Sequence, residues 1–538
     1  MPESRHITSR GSWNLTALID SSEMAQAGAY DRTKKSIRNS IVAVSLQVVS
    51  LLIGFWSRRI FLNHLGTEVL GLNTTANSLL NFLNLAELGI GTAIAVTLYK
   101  PIFDDDKESI KEIVALQGWL YKIIALIVIG GSVILSFFFP MIFSKTPLPL
   151  WYAYASFGVL LYSNLLGYFF NYKQILLDAY QLNYKIQLSV KLISIFKLVI
   201  QAFTIKYLDN GYVWWLVLEA VFATITAIVL SRTVNKTFPY IKESVSKPAE
   251  LRHKYPTVVT KVKQLFFHKI GEFVIYQTTP LIIYAFASLT LVAKYGNYLI
   301  LTNNLTALLG GLFMGIAASV GNLVAEQNKE LTMKVFRELF SSRFWMTTVC
   351  CICLWFLADP FISLWIGPEY VLDKTTLLLL IIIFYIANTR NVVDVYLNAY
   401  GLFQDIWAPI VEAAICLGGS ILLGKHFGLN GILSGLIISQ ITIVLTWKPV
   451  FLFHSGLKQP IGIYVKMYGV HIIVATVTVI MVNIIKQLII FDYSSSFIKF
   501  LLYALIIFLT TGFILFALLS LCEKGMRGFV KRLFQLLR

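Results

Sequence analysis

Leu177-Asp178-Ala179-Tyr180 returns as Leu397-Asn398-Ala399-Tyr400, an offset of 220 residues, and the reading of this echo decides the fold. Asn210-Gly211 returns at the same offset as Asn430-Gly431, and Asn171 returns as Asn391. Earlier in each half, Gly89-Ile90 matches Gly315-Ile316 and Gly71 matches Gly296, at offsets of 226 and 225. One such match arises by chance. Several near one offset, each at the equivalent place in the order of apolar runs, mark a duplicated unit.

The runs around these echoes are long and apolar. The chain has 538 residues, 57% hydrophobic and only 14% charged, too little polar surface for a soluble protein of this length. Many runs between Ile41 and Leu521 reach the roughly 18–25 residues that cross a bilayer. They are continuous rather than alternating, so they are helices and not barrel strands. The expected fold class is all-α, a polytopic membrane protein of about fourteen transmembrane helices. The first half holds spans at 39–62, 69–98, 111–142, 149–171, 184–206 and 212–232. The second holds 263–287, 292–325, 333–365, 372–398, 406–426 and 430–453, followed by two C-terminal helices at 463–489 and 497–522.

Basic residues set the expected orientation. About thirty Lys and Arg collect in the N-terminal segment, the connections near 100–111, 172–185, 233–263, 326–337 and 454–466, and the C-terminal tail; roughly eight lie on the other side. An even number of spans then puts both termini on the basic, cytoplasmic side. Six spans per repeat also bring the two lobes into the membrane in the same sense, around a central cavity. The expected organisation is a cytoplasmic N-terminal segment (1–38), an N-lobe (39–232), a basic linker (233–262), a C-lobe (263–453), the two extra helices (463–522) and a basic cytoplasmic tail (523–538). Residues from Met1 to about Tyr30 are polar and lack the apolar core of a cleavable signal peptide. The five cysteines read as core thiols, with no metal site.

At 65–73 the chain reads Leu65-Gly66-Thr67-Glu68-Val69-Leu70-Gly71-Leu72-Asn73, and further on Leu85-Ala86-Glu87-Leu88-Gly89-Ile90-Gly91-Thr92-Ala93-Ile94. Tyr99-Lys100-Pro101 and Asp104-Asp105-Asp106-Lys107 follow. This pattern resembles the polysaccharide transporter family of bacterial oligosaccharide flippases, which share a fold superfamily with the lipid II flippases and the multidrug and toxin extruders. The resemblance implies a substrate, an undecaprenyl-pyrophosphate-linked oligosaccharide moved from the inner to the outer leaflet of the bacterial inner membrane. It implies alternating access, with the first, second, seventh and eighth spans facing the cavity. Glycosyltransferase and polymerase partners and a monomeric transport unit are implied with it; specific ligand residues are not.

A pyrophosphate headgroup needs fixed cations to leave water, and Arg pairs bidentately with phosphate oxygens. Arg58 and Arg59 stand near the outer end of the first span, against the charge bias, so they are substrate-binding candidates; snorkelling to headgroups is the plain alternative. Lys294 opens the eighth span, either capping the cavity or marking the interface. His268, Lys269 and Glu272 sit at the basic mouth of the seventh span and either receive the headgroup or mark the boundary. Asn303 and Asn304, with Gln277, Thr278 and Thr279, offer hydrogen bonds to sugars or between helices. Pro280 should bend the seventh span.

Intramembrane acids are the coupling candidates. Glu87, in Ala-Glu-Leu-Gly-Ile-Gly, takes up a proton, contacts sugar, or pairs with a basic residue to lock the first lobe. Glu219, Glu272 and Asp394 join it, and Arg390 and Asp394, four apart, share a helical face. Lys122, Lys191, Lys197, Arg343 and Glu412 complete the set, and bases exceed acids, which suits an anionic substrate. Gly311/Gly315 and Gly431/Gly435 have the small-xxx-small spacing of tight helix contacts. The basic segment 233–262 reads as a lobe linker on anionic lipid and not as a nucleic-acid site. No phosphate-loop motif for ATP is present, no cofactor is implied, and no connection outside the membrane is long enough for a catalytic domain, so the chain does not read as an enzyme. The rival readings are a cation exporter on the same fold, which needs an acidic cavity, and a membrane polymerase or ligase. Drift of the motif to Leu312-Phe313-Met314-Gly315-Ile316-Ala317 in the second half predicts an asymmetric headgroup seat.

Overall fold

A computed structural model describes residues 15–87, 90–180, 182–242, 250–256, 278–313, 327–402, 404–488 and 496–536, with single positions 258, 262, 320, 321, 323 and 324 between them; side chains are described from Ser45 onward. Among the described residues ten helices are long and apolar enough to cross a membrane. Two of these, Ser45–Leu83 and Trp407–Leu457, each hold two of the expected spans. The break in the first is at Gly66, with φ 82 and ψ 173, and in the second at Gly428, with φ 57 and ψ −134. A side chain disfavours both conformations, so glycine lets the chain turn there.

The helices run in order as α1 (Leu15–Leu83), α2 (Ile90–Phe103), α3 (Lys107–Phe137), α4 (Leu150–Leu166), α5 (Ile175–Ala179), α6 (Asn183–Tyr207) and α7 (Gly211–Thr237). The second half holds α8 (Leu289–Leu312), α9 (Lys329–Trp365), α10 (Lys374–Thr389), α11 (Asn391–Ala399) and α12 (Trp407–Ser439). Then come α13 (Gly462–Gln487), α14 (Phe497–Cys522) and α15 (Lys524–Leu536). Large apolar side chains such as Leu126, Phe137, Ile473 and Phe513 stand exposed on the outside of the bundle, as a lipid-facing surface requires. The chain is an all-α, multi-pass membrane protein.

The 220-residue echo is visible in backbone geometry. Leu182 N donates to Leu177 O at 2.6 Å, and Leu402 N donates to Leu397 O at 2.9 Å. Tyr180 N donates to Leu176 O, and Tyr400 N to Tyr396 O, both at 2.9 Å. Each half therefore stops the corresponding helix with the same pattern of backbone bonds. Asn171 and Asn391 mark the same bend: α4 passes through a π-turn (Gly167–Asn171) into α5, and α10 breaks at Arg390 into α11. Gly211 and Gly431 serve the same hairpin. A Cβ on Gly211 would stand 3.1 Å from Ile205 Cα, and one on Gly431 would overlap Leu423 O.

Four expectations are corrected. The span 69–98 is not continuous, because Asn84–Glu87 forms a 3-10 turn between the second arm of α1 and α2. The tail 523–538 holds a helix, α15, packed on α9. Cys522 is exposed and not a core thiol, whereas Cys351 and Cys416 are buried. Gly311 has open space around it and makes no tight contact; Gly431 and Gly435 do, packing within their own hairpin. Gly315 lies outside the described residues, and Pro280 falls at their edge.

Candidate functional site

The two halves meet where α1 runs antiparallel to α8. Arg58 Nε donates to Asn297 Oδ1 at 3.0 Å, and Gln47 Nε2 donates to Asn304 Oδ1 at 2.9 Å. Eleven residues on α1 match seven on α8 in reversed order. Beyond Arg58, towards Gly66, the halves close on each other. Thr290 Oγ1 donates to Glu68 Oε1 at 2.6 Å, and Lys145 Nζ donates to Ala285 O at 2.8 Å. On the other side of Arg58, Trp365 Nε1 donates to Phe55 O at 2.7 Å. Gly71 lies so near Leu289 that a Cβ there would overlap the leucine carbonyl. Its counterpart Gly296 leaves room for the Arg58 guanidinium, whose Nη2 would lie 3.4 Å from a Cβ at that position. The repeated glycines thus face opposite halves across one seam.

Beside this seam lies a cavity of about 510 Å³. Its polar wall includes Gln47, Ser57, Arg58, Asn73, Asn77 and Gln201, set against Phe61, Leu160 and Trp215. The first half supplies every lining residue except Ile300 and Asn304. Arg58 is the one charged residue among them, and no described carboxylate bridges it. Its Nε is held by Asn297, which leaves the two terminal amino groups as donors towards the cavity. Asn73 is fixed from behind, its Oδ1 accepting from Ser156 Oγ at 2.6 Å and Tyr212 OH at 3.1 Å. A partly buried guanidinium whose terminal amino groups have no described carboxylate partner is suited to an anion, because reduced dielectric strengthens charge-assisted hydrogen bonds.

Arg59 is exposed and lines no part of this cavity, since one helical residue turns it about 100° from Arg58. Asn303 is likewise exposed, whereas Asn304 faces the seam. Lys294 is half-buried on α8 and does not line the cavity. His268, Lys269, Glu272 and Gln277 lie outside the described residues.

The acids are engaged elsewhere. Glu87 sits on the 3-10 turn and accepts from Tyr121 OH at 2.9 Å; its partner is a tyrosine rather than the expected base. Next to it, Asn84 accepts from Asn164 and Tyr168, so the turn is stapled to α3 and α4. Glu219 pairs with Lys197 at 2.6 Å and accepts from Gln201 Nε2 at 3.1 Å. That pair borders a second cavity of about 270 Å³ beside the π-turn of α4, and Gln201 links it to the first. Asp394 binds Arg390 at 3.3 Å, as their spacing predicts, and also Lys448 at 2.9 Å from the chain after α12. Arg343 is buried without a described carboxylate. It donates to Leu309 O and Asn388 O and stacks over Phe313, so it closes carbonyls at the ends of α8 and α10.

Asn297, Gln47, Asn73 and Gln201 are the site residues that the sequence reading missed. Neutral amides carry no charge signal inside an apolar run. The seven-residue spacing of Asn297 and Asn304, two helical turns, was the available clue.

No family model and no curated protein sequence matches the chain. Solved structures do. The chain is similar to the lipid II flippase MurJ in an inward closed conformation, with a TM-score of 0.61 and 16% identity over 89% of this chain and 98% of that one. It is similar to a multidrug resistance MATE family transporter of the MOP superfamily in an inward-facing conformation, with a TM-score of 0.56 and 14% identity over 78% of this chain and 99% of that one. The protein has the all-α, multi-pass membrane fold of these structures. The MurJ likeness extends further along this chain than the MATE likeness does.

Proposed function

We propose that this protein flips an anionic lipid-linked oligosaccharide, an undecaprenyl-pyrophosphate carrier bearing a repeat unit, across a bacterial inner membrane for surface polysaccharide synthesis. One observation carries the reading: an amide-rich cavity whose one charged lining residue is an arginine with free donors. A pyrophosphate supplies the acceptors that Arg58 lacks, and neutral amides suit sugar hydroxyls. The lipid tail stays in the bilayer while the headgroup crosses through protein. The fold of a lipid II flippase fits the same work. In this reading the termini are cytoplasmic, the closed Gly66 end faces outward, and glycosyltransferases and a polymerase act before and after the flippase. The Lys197–Glu219 pair, joined to the cavity through Gln201, is the proposed coupling element.

Export of an organic cation draws on the MATE likeness. It needs a carboxylate in the cavity wall, and the described lining has none. The test is translocation of a fluorescent undecaprenyl-pyrophosphate glycan by the purified protein in proteoliposomes. Protein-dependent movement that Arg58→Ala abolishes supports the proposal. Movement of a cationic dye in place of the glycan overturns it.

A further inference from the structure

The C-terminal helix α15 is seated on α9 by two glycines. A Cβ on Gly525 would overlap Arg337 O, and one on Gly528 would lie 2.6 Å from Glu338 Oε1. Met526 between them is fully buried, and Arg532 is tied to buried Glu338 at 2.8 Å. This docking fixes the rest of the helix in place. Lys524, Arg527 and Lys531 are left exposed, spaced three and four residues apart on one face. Opposite them on α9 stand Lys329, Lys334 and Arg337.

Two adjoining grooves of about 440 and 600 Å³ run between these rows. The larger is lined by Lys334, Lys524, Arg527, Lys531 and Arg532 against the single acid Glu338, which Arg532 already engages. Glu330 in the smaller groove and Glu523 beside Arg337, Lys524 and Arg527 offset part of this charge, and the cations left in excess repel one another unless an anion occupies the cleft. The groove's position selects the kind of anion. α14 is a membrane-crossing helix that ends at Cys522, and α15 begins at Lys524 after one extended residue, Glu523. Leu521 and Cys522, just before the turn, are exposed on the lipid-facing surface. Cations at headgroup depth beside an exposed apolar strip match a phosphodiester above its acyl chains.

We infer that the groove between α15 and α9 is a binding site for the phosphate of an anionic phospholipid, separate from the transport cavity. It places one lipid of the basic face against α9, the helix that also packs on α13 and α14. The site does not depend on the transport reading.

The experiment uses the full chain in neutral detergent, titrated with phosphatidylglycerol or phosphatidylcholine and followed by native mass spectrometry. Selective retention of phosphatidylglycerol is expected. K524Q/R527Q/K531Q removes three exposed cations without touching the docking residues and should weaken that retention roughly 100-fold, from about fivefold per cation. K524R/K531R should retain it. Unchanged phosphatidylglycerol binding in the glutamine variant overturns the inference. So does equal retention of the two lipids by the wild-type chain, or displacement of the lipid by millimolar inorganic phosphate, which assigns the groove to a soluble anion. Should the triple variant fail to fold, K531Q alone is read, with about a fivefold loss expected and no loss overturning the site.

Discussion

Arg58 of the first half and Asn297 of the second are joined by one hydrogen bond, Nε to Oδ1, at 3.0 Å. The bond aims the guanidinium and spans the seam that the proposed alternating access would open. Charge-assisted bonds of this kind contribute about 1.5–3 kcal/mol. Arg58→Ala is therefore expected to abolish glycan translocation, and Arg59→Ala to leave it near wild type, because Arg59 faces away. Asn297→Ala keeps the cation but loses its aim, so transport should fall roughly 10- to 100-fold with the larger part in apparent substrate affinity. Initial flipping rates against substrate concentration check all three. Equal loss in the Arg58 and Arg59 variants would contradict the assignment.

Thr67 and Thr290 approach within 3.5 Å, Oγ1 to Oγ1, at the closed end of the seam. With exposed Cys522 replaced by Ser, the pair T67C/T290C should form a disulfide under mild oxidation. Transport should stop and return on reduction. Gel mobility after oxidation and the flipping rate together test whether this end must part during the cycle.

Lys197 and Glu219 are bonded at 2.6 Å inside the first half. Removing one partner strands a charge in a poorly hydrated place, which costs several kcal/mol, whereas removing both is nearly neutral. Lys197→Met alone should lower the unfolding midpoint in detergent, and K197M/E219L should recover most of it. If the pair also couples transport to an ion gradient, as proposed, the stable double variant will bind substrate yet flip it independently of an imposed pH gradient. Gradient-dependent flipping in that variant removes the coupling role and leaves the structural one.

Asp373 caps α10 just outside its span. It accepts from Thr376 N at 2.9 Å and from Thr376 Oγ1, while Thr376 also bonds Asn430 of the α12 hairpin. Burial raises the Asp373 pKa, but the bonds from Thr376 and Asn430 outweigh it and hold the carboxyl below its ordinary value. A depressed carboxyl stabilises the fold above its unfolded pKa of about 3.9, and that contribution is lost as pH falls through the folded pKa. Asp373→Ala should cost about 1 kcal/mol at neutral pH. The gap to wild type should narrow below about pH 4. Thermal unfolding at several pH values measures it.

Much of this was written in the sequence. Apolar runs that must satisfy their own backbone bonds inside lipid become helices whatever surrounds them, so the helical membrane class followed from length and composition. The repeat was legible because helix stops and hairpin glycines are local needs: Tyr180 and Tyr400 end their helices with the same bonds, and Gly211 and Gly431 each come close to the backbone of the preceding helix. The pairing of Arg390 with Asp394 was equally local, one turn apart.

The halves of the candidate site were not local. Arg58 and Arg59 are indistinguishable by composition, and only the rotation of α1 against α8 puts one in the cavity and the other outside. The choice of Asn297 and Asn304 over Asn303, and of a tyrosine as the partner of Glu87, arises from contacts between helices far apart in the chain. The duplicated unit and its helical class are what the sequence by itself determined, because they rest on short-range bonds and solvation. Which intramembrane polar groups face the cavity, which are spent on one another, and that the basic tail is a docked helix beside a cationic groove were decided by tertiary packing. In lipid each buried polar group must find a partner, and that partner is set by which helix faces come together.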